Sequence, residues 1–465
     1  MVVPMPGDRA AGRNSKMIQG RLQIRENVAS ALVPAILIGE FCALGANGSL
    51  FGVAAGLAAV LTSAVIIVLL PPQPGFWARL WPLLLPFALA LGWATLPLIL
   101  PSDLAFVRWA APGLFAPSFV SLLGILLWIP IGAIMGARPR VSQRSIDLLL
   151  VLVVPSIIMS LVAYRLDPWH VWGIEVGLLK PRFSATLLNP NAAACAMAMM
   201  AVLASSRFMS SATALAEADP RQQISALAMI ALSWFATMLA FAGMVLAGSR
   251  LAIVLAVMAL MFIVTRGAVR AGSAGRYRRR ICAASILALL SPLAFGGILG
   301  GARLAQKMGS VAGDASLRWE DLKFYTQMSF DAPWFGYGLG GFRNANIASL
   351  DASHVLHRWN FGAAHNVLLH GAIEGGWPFA LLSAGGIILA AAFVLRARRL
   401  VRLGTLRIGL MLAVGIALFS GLSDIALNVP ALAAFTAWLG GLLLGGAIRT
   451  LMEEAASRPA HRAAG

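Results

Sequence analysis

Residues 224–264 read ISALAMIALSWFATMLAFAGMVLAGSRLAIVLAVMALMFIV, and one charged side chain, Arg250, interrupts the whole run. About 20 consecutive apolar residues cross a bilayer as a helix, and 224–247 meets that length before Gly248-Ser249-Arg250 makes a tight connection. The second half is shorter and equally apolar. Apolar side chains on every face, with no polar stripe at helical spacing, belong to helices surrounded by lipid or by other helices.

The rest of the chain extends this pattern. It has 465 residues, 59% apolar and 12% charged, with mean hydropathy +0.82. Soluble domains carry about 25% charge, which excludes cytosolic enzymes, coiled coils, disordered tails and secreted disulfide scaffolds. Breaking the chain at charges, prolines and polar clusters predicts about twelve spans. They fall near 28–46, 51–70, 82–100, 117–136, 146–163, 190–205, 224–246, 250–265, 281–299, 374–395, 408–427 and 430–447. The fold class predicted is an all-α polytopic membrane protein with both termini inside, its first span an uncleaved anchor. Five regions follow: a basic segment 1–27, a membrane domain 28–299, a loop 300–373, a second set of spans 374–447, and a tail 448–465.

The net charge of +18 sorts by side. With the N-terminus inside, inner segments hold 25 of the 36 Lys and Arg, in runs such as Arg276-Tyr277-Arg278-Arg279-Arg280 and Arg396-Ala397-Arg398-Arg399. This is the positive-inside pattern, so the charge reads as topology and contact with membrane lipids, with no nucleic acid implied. Of the 11 outer cations, 6 lie in the loop 300–373. That loop is rich in Trp, Phe and Tyr, which disordered segments lack, so it is expected to fold onto the membrane domain. Its stretch Asp314–Phe330 reads as a helix, with Pro333 beyond its end.

Polar residues gather at the predicted outer face. Lys180, Arg182, Asn189 and Asn191 precede the sixth span, and Arg250 enters the eighth. Arg318 lies on the loop helix. His365 and Asn366 lead to Glu374 and Gly375-Gly376, while Asp424 and Asn428 sit near the outer end of the eleventh span. Each has a plain structural reading: Arg250 as an interfacial anchor, Arg318 as a partner of Glu320 or Asp321, the asparagines as turn formers and caps. The histidines 354, 357, 365 and 370 match no common metal spacing, so no metal and no cofactor is expected. Cys42, Cys195 and Cys282 read as buried apolar residues. Gly336-Tyr337-Gly338-Leu339-Gly340-Gly341 satisfies G-x-G-x-x-G, but a dinucleotide site needs a strand before it and a helix after it. A tight glycine turn is the reading preferred.

The order of these pieces resembles the bacterial O-antigen ligase and polymerase superfamily. Arg182-Phe183-Ser184 with Asn189-Pro190-Asn191, then Ser249-Arg250, then Ser316-Leu317-Arg318-Trp319, are similar to its motifs. So are Pro333 to Gly340 and His365-Asn366-Val367-Leu368-Leu369 with Glu374-Gly375-Gly376. The resemblance implies a membrane glycosyltransferase fold in the bacterial inner membrane, with its active face periplasmic. It implies metal-independent, inverting transfer of a glycan from undecaprenyl pyrophosphate to an acceptor hydroxyl on lipid A core, or to another lipid-linked repeat unit in a polymerase. The family's catalytic residues carry over to Arg250, Arg318 and His365, with substrate contacts at Arg182, Asn191, Asn366 and Glu374.

The chemistry agrees with that assignment. Arginine pairs bidentately with phosphate oxygens and stays charged at any working pH. Histidine titrates near neutrality and suits a base. A lipid-linked oligosaccharide transporter is the alternative of another class. It would place ionisable groups near the midplane, where Glu40 is the clearest acid.

Overall fold

A computed structural model describes residues 6–100, 108–176, 181–215, 219–271, parts of 283–299, 311–351, 355–398 and 404–457. Lys180, Cys282, His354, the run Arg276 to Arg280 and the last eight residues lie outside them. Of the described residues, 83% are helical. The chain begins with α1 (Pro6–Cys42), α2 (Ser49–Leu69), α3 (Phe76–Thr95), α4 (Pro112–Gly136) and α5 (Pro139–Leu166). A two-stranded hairpin follows, β1 (His170–Val171) against β2 (Ile174–Glu175), with His170 opposite Glu175. Next come α6 (Pro190–Leu215), α7 (Pro220–Ala247) and α8 (Arg250–Ala271). A short apolar helix, α9 (Leu289–Leu299), precedes the loop helices. These are α10 (Val311–Asp331), α11 (Phe342–Ala348) and the single turn α12 (Val355–Arg358). Three long helices close the chain: α13 (Val367–Arg398), α14 (Thr405–Ser423) and α15 (Pro430–Ser457).

Ten of the described helices are long and apolar enough to cross a membrane, and the protein is a multi-pass membrane protein. Of the other two expected spans, 28–46 falls largely on the C-terminal part of α1, and 281–299 is described only in part, ending in α9. The expected span 408–427 is shifted: α14 ends at Ser423, so Asp424 stands one residue beyond it.

Small residues set the packing. The sequence of α6, Pro-Asn-Ala-Ala-Ala-Cys-Ala-Met-Ala onward, lets neighbouring backbones approach closely. Its most apolar window is buried throughout, wrapped by α7, α8 and α14. Glycines do the same between α4 and α15, where Gly132 and Gly136 face Trp438 and Leu442 while Gly441 and Gly445 face Ile129 and Ala133. Arg207 belongs to this core. It was expected in an inner loop, yet α6 continues to Leu215 and buries it. Its guanidinium grips Asp147 of α5 through Nε to Oδ1 (2.5 Å) and Nη2 to Oδ2 (3.0 Å), with Ser211 Oγ on Nη1. A charge buried this deeply needs both partners to offset its lost hydration.

The break in α13 ties the loop to the membrane domain. Pro378 has no N–H to offer the Glu374 carbonyl one turn earlier, and Gly376 leaves the helix at φ 79°. The carbonyls thereby freed are all taken. Tyr337 N donates to Ile373 O (2.8 Å), Gly338 N to Glu374 O (2.9 Å) and Trp93 Nε1 to Gly375 O (3.0 Å). The glycine motif is therefore a docking turn, with Gly336, Gly338 and Gly340 all at positive φ. A Cβ on Gly376 would collide with the Trp334 carbonyl. Around this joint Tyr325, Met328, Phe342, Leu369 and Ile373 form a small core. Asp321 braces it by accepting from Arg358 Nε at 2.7 Å.

Candidate functional site

Five element ends meet on one face: the start of α6, the α7–α8 turn, α10, the residues before α13, and the residues after α14. Asn189 caps α6, its Oδ1 accepting from the N–H groups of Asn191 (2.9 Å) and Ala192 (3.0 Å). That leaves the Asn191 side chain to turn toward the site, where its Nδ2 donates to Asp424 Oδ2 at 2.8 Å. The same amide accepts from Arg182 Nη2 at 3.0 Å.

Arg182 points inward. Its Nε and Nη2 donate to Ala247 O at 3.0 and 2.8 Å, and Nη2 also approaches Gly248 O at 3.4 Å. These carbonyls belong to the end of α7, where Gly248 adopts the left-handed conformation that closes the helix (φ 66°). Arg250 then begins α8, half-buried, two residues beyond the turn that Arg182 holds.

Asp424 is the hub. Its Oδ2 accepts from Asn191 and from Arg318 Nη2 (3.2 Å), and its Oδ1 accepts from the Ile425 N–H (2.8 Å). His365 Nδ1 stands 3.6 Å from Oδ1. Burial on its own would raise the Asp424 carboxyl, but His365, the Ile425 N–H and Arg318 outweigh it and hold it below the ordinary carboxylate range. Arg318 also reaches Ser423 O at 3.4 Å, and its side chain is 56% exposed, so one edge of the guanidinium stays open. Its partner is therefore Asp424, while Asp321 pairs with Arg358 and His357 inside the loop.

His365 is held at φ 53°, a conformation that side chains other than glycine adopt at a cost. Its ring packs on Phe361 at 4.8 Å between centroids. Asn366 is the true cap of α13, its Oδ1 accepting from Leu368 and Leu369 N–H, while its Nδ2 donates to Leu422 O at 2.8 Å. It thus fastens α13 to the end of α14 and brings His365 alongside Asp424.

Glu374 lies elsewhere. Its Oε1 accepts from Phe342 N at 3.1 Å and its Oε2 lies 3.6 Å from His370 Nε2. The structure does not pair it with His365 or Arg318. Among the described residues no three His, Cys, Asp or Glu side chains are grouped to hold a metal ion.

Arg318 and His365 thus meet at Asp424, and Arg250 begins α8 two residues beyond the turn that Arg182 holds. Residues 235–384 match the O-antigen ligase family model. Over that stretch the chain is similar to the O-antigen ligase family, which supports the resemblance to the O-antigen ligase and polymerase superfamily. The O-antigen ligase region covers roughly a third of the chain and contains Arg250, Arg318, His365, Asn366 and Glu374. Arg182, Asn191 and Asp424 lie outside it. No curated protein matches the chain. The match supports, in general terms, a function of the O-antigen ligase or polymerase type.

Sequence reasoning placed Asp424 among the outer polar residues without giving it a role. The signal available was a lone carboxylate at a span end in a chain with few acids.

Proposed function

We propose that the protein transfers a glycan from undecaprenyl pyrophosphate to an acceptor hydroxyl on lipid A core, at the periplasmic face of the bacterial inner membrane. The observation that carries this reading is the Asp424 carboxylate, which binds Arg318 and faces His365 Nδ1. A carboxylate on Nδ1 sets the imidazole tautomer, so that Nε2 is the atom left to take a proton.

In the reaction the acceptor oxygen attacks the anomeric carbon from the side opposite the pyrophosphate. The glycosidic C–O bond breaks, configuration inverts, and the acceptor proton passes to His365 Nε2. Undecaprenyl pyrophosphate leaves with the bonding pair. Arg250 and Arg318 neutralise it, each with donors suited to phosphate oxygens. Arg250 also opens α8, whose first N–H groups add to an anion site. Arg182, Asn191 and Asn366 act as supports in this scheme: Arg182 fixes the turn before Arg250, Asn191 holds Asp424, and Asn366 joins α13 to α14. Glu374 keeps the loop seated on the broken helix. No step requires a metal, so transfer should persist in chelator.

Purified protein given lipid-linked donor and acceptor tests the scheme. Covalent transfer with inverted linkage supports it, and movement of the donor across the bilayer without transfer indicates a transporter. Glycans of a deletion strain separate the two enzyme readings. Bare lipid A core with accumulated lipid-linked polymer indicates a ligase, and single repeat units on the core indicate a polymerase.

A further inference from the structure

The ends of α14 and α15 away from Asp424 carry a second set of arginines that the glycan site does not use. Arg407 lies in the first turn of α14, 17 residues before Asp424, or about 25 Å along a helix axis. That is close to the thickness of the hydrocarbon layer. Its guanidinium lies against Gly446 of α15: a Cβ there would stand 3.5 Å from Nη2 and 3.7 Å from Cζ. Arg449 is one turn further on the same face of α15. Arg449 Nη1 donates to Glu453 at 2.9 Å, while its Nε is buried without a hydrogen-bond partner. Among the described residues Arg407 is half-buried and makes no hydrogen bond or ion pair.

Beside Glu453 the neighbouring sequence holds one further acid, Glu454. Residues 396–407 contain five arginines and no carboxylate, and residues 455–465 contain two arginines and no acidic side chain. Glu453, which Arg449 holds, and Glu454 are therefore the two acids in a strongly basic surrounding. Topology-setting charges are usually solvated in loops, but these two are on helices and partly covered. Half-buried arginines with open donors suit a phosphate, which accepts in the plane of the guanidinium. A basic pocket between helices at a membrane surface suits an anionic lipid headgroup.

We propose that Arg407 and Arg449 form a phosphate site for an anionic phospholipid headgroup, which bridges α14 to α15 at the membrane surface opposite the glycan site. The ligand is recognised by its phosphate, so free phosphate is the other source to be distinguished.

The test uses the full chain in nanodiscs of phosphatidylcholine, of phosphatidylcholine with phosphatidylglycerol, and of phosphatidylcholine with inorganic phosphate in the buffer. Thermal unfolding is measured, and lipid retained through purification is read by native mass spectrometry. Phosphatidylglycerol should raise the unfolding temperature and stay bound. At about fivefold per arginine near an anionic surface, Arg407→Gln with Arg449→Gln should retain roughly 25-fold less. Arg396→Gln, on the exposed end of α13, should retain as much as the parent. An equal shift with inorganic phosphate, lost in the double variant, supports the site with phosphate alone as its ligand. Equal retention by parent and double variant overturns the proposal. If the double variant does not fold, the parent decides: no preference for phosphatidylglycerol and no response to phosphate overturns it.

Discussion

His365 Nδ1 faces Asp424 Oδ1 at 3.6 Å, and the two residues reach each other from the ends of different helices. Asn366 makes the meeting possible by capping α13 and bonding the Leu422 carbonyl at the end of α14. The pair resembles the carboxylate–imidazole arrangement in which the acid orients the base. Asp424→Asn keeps the shape and removes the charge. It should lower glycan transfer by about 10²- to 10⁴-fold while the protein still assembles. Transfer within tenfold of the parent would remove Asp424 from the mechanism.

The backbone at His365 gives a stability test. Held at φ 53°, the residue costs about 1 kcal/mol that glycine would not. His365→Ala and His365→Gly lose the same ring, so their difference isolates the backbone. The glycine variant should unfold at the higher temperature, by about 1 kcal/mol, and both should lack transfer.

Arg318 and Arg182 should separate in their effects. Arg318 is largely exposed, and exposed pairs contribute about 0–1 kcal/mol. Arg318→Ala should abolish transfer with little change in unfolding temperature. Arg182 spends its donors on two carbonyls and an amide, and charged hydrogen bonds of this kind contribute about 1.5–3 kcal/mol. Arg182→Ala should lose stability and activity together, measured by thermal unfolding beside a transfer assay.

The joint at Gly376 leaves no room for a side chain. Gly376→Ala combines a positive φ with a collision against the Trp334 carbonyl, at a cost of about 2–5 kcal/mol. Reduced yield and a lower unfolding temperature should follow. An unchanged unfolding temperature would show that the loop can lift off α13.

Acid should weaken the site in a defined direction. The Asp424 carboxyl lies below its ordinary value in the fold, and about 3.9 is usual when unfolded. A depressed folded value means that the stabilisation is complete above the unfolded value and is lost as pH falls through the folded one. Unfolding temperature should therefore drop below about pH 4, and Asp424→Asn should flatten that drop.

Much of the architecture was legible from local chemistry. Apolar runs of bilayer length mark the spans because lipid leaves each helix to satisfy its own backbone. The aromatic loop folds because Tyr325, Phe342 and their neighbours bury enough area to order it. The helix break was not read from the sequence, where 374–395 stood as one span, although Pro378 cannot serve the Glu374 carbonyl. Nor was its consequence: Gly338 N and Tyr337 N answer carbonyls more than thirty residues away.

By itself the sequence determined a multi-pass helical membrane protein and singled out Arg182, Asn191, Arg250, Arg318, His365, Asn366 and Glu374 as polar candidates in an apolar chain. Periodicity and hydropathy are local, so they reach that far. Tertiary structure alone decided which of these meet. Asn191 and Asp424 are 233 residues apart, and no spacing rule joins them. Helix packing turned Arg182 inward, seated Glu374 beside His370, and made Asp424 the residue that joins Arg318 to His365. A buried carboxylate must find its donors wherever the helix ends converge, and that convergence is a property of the packed bundle.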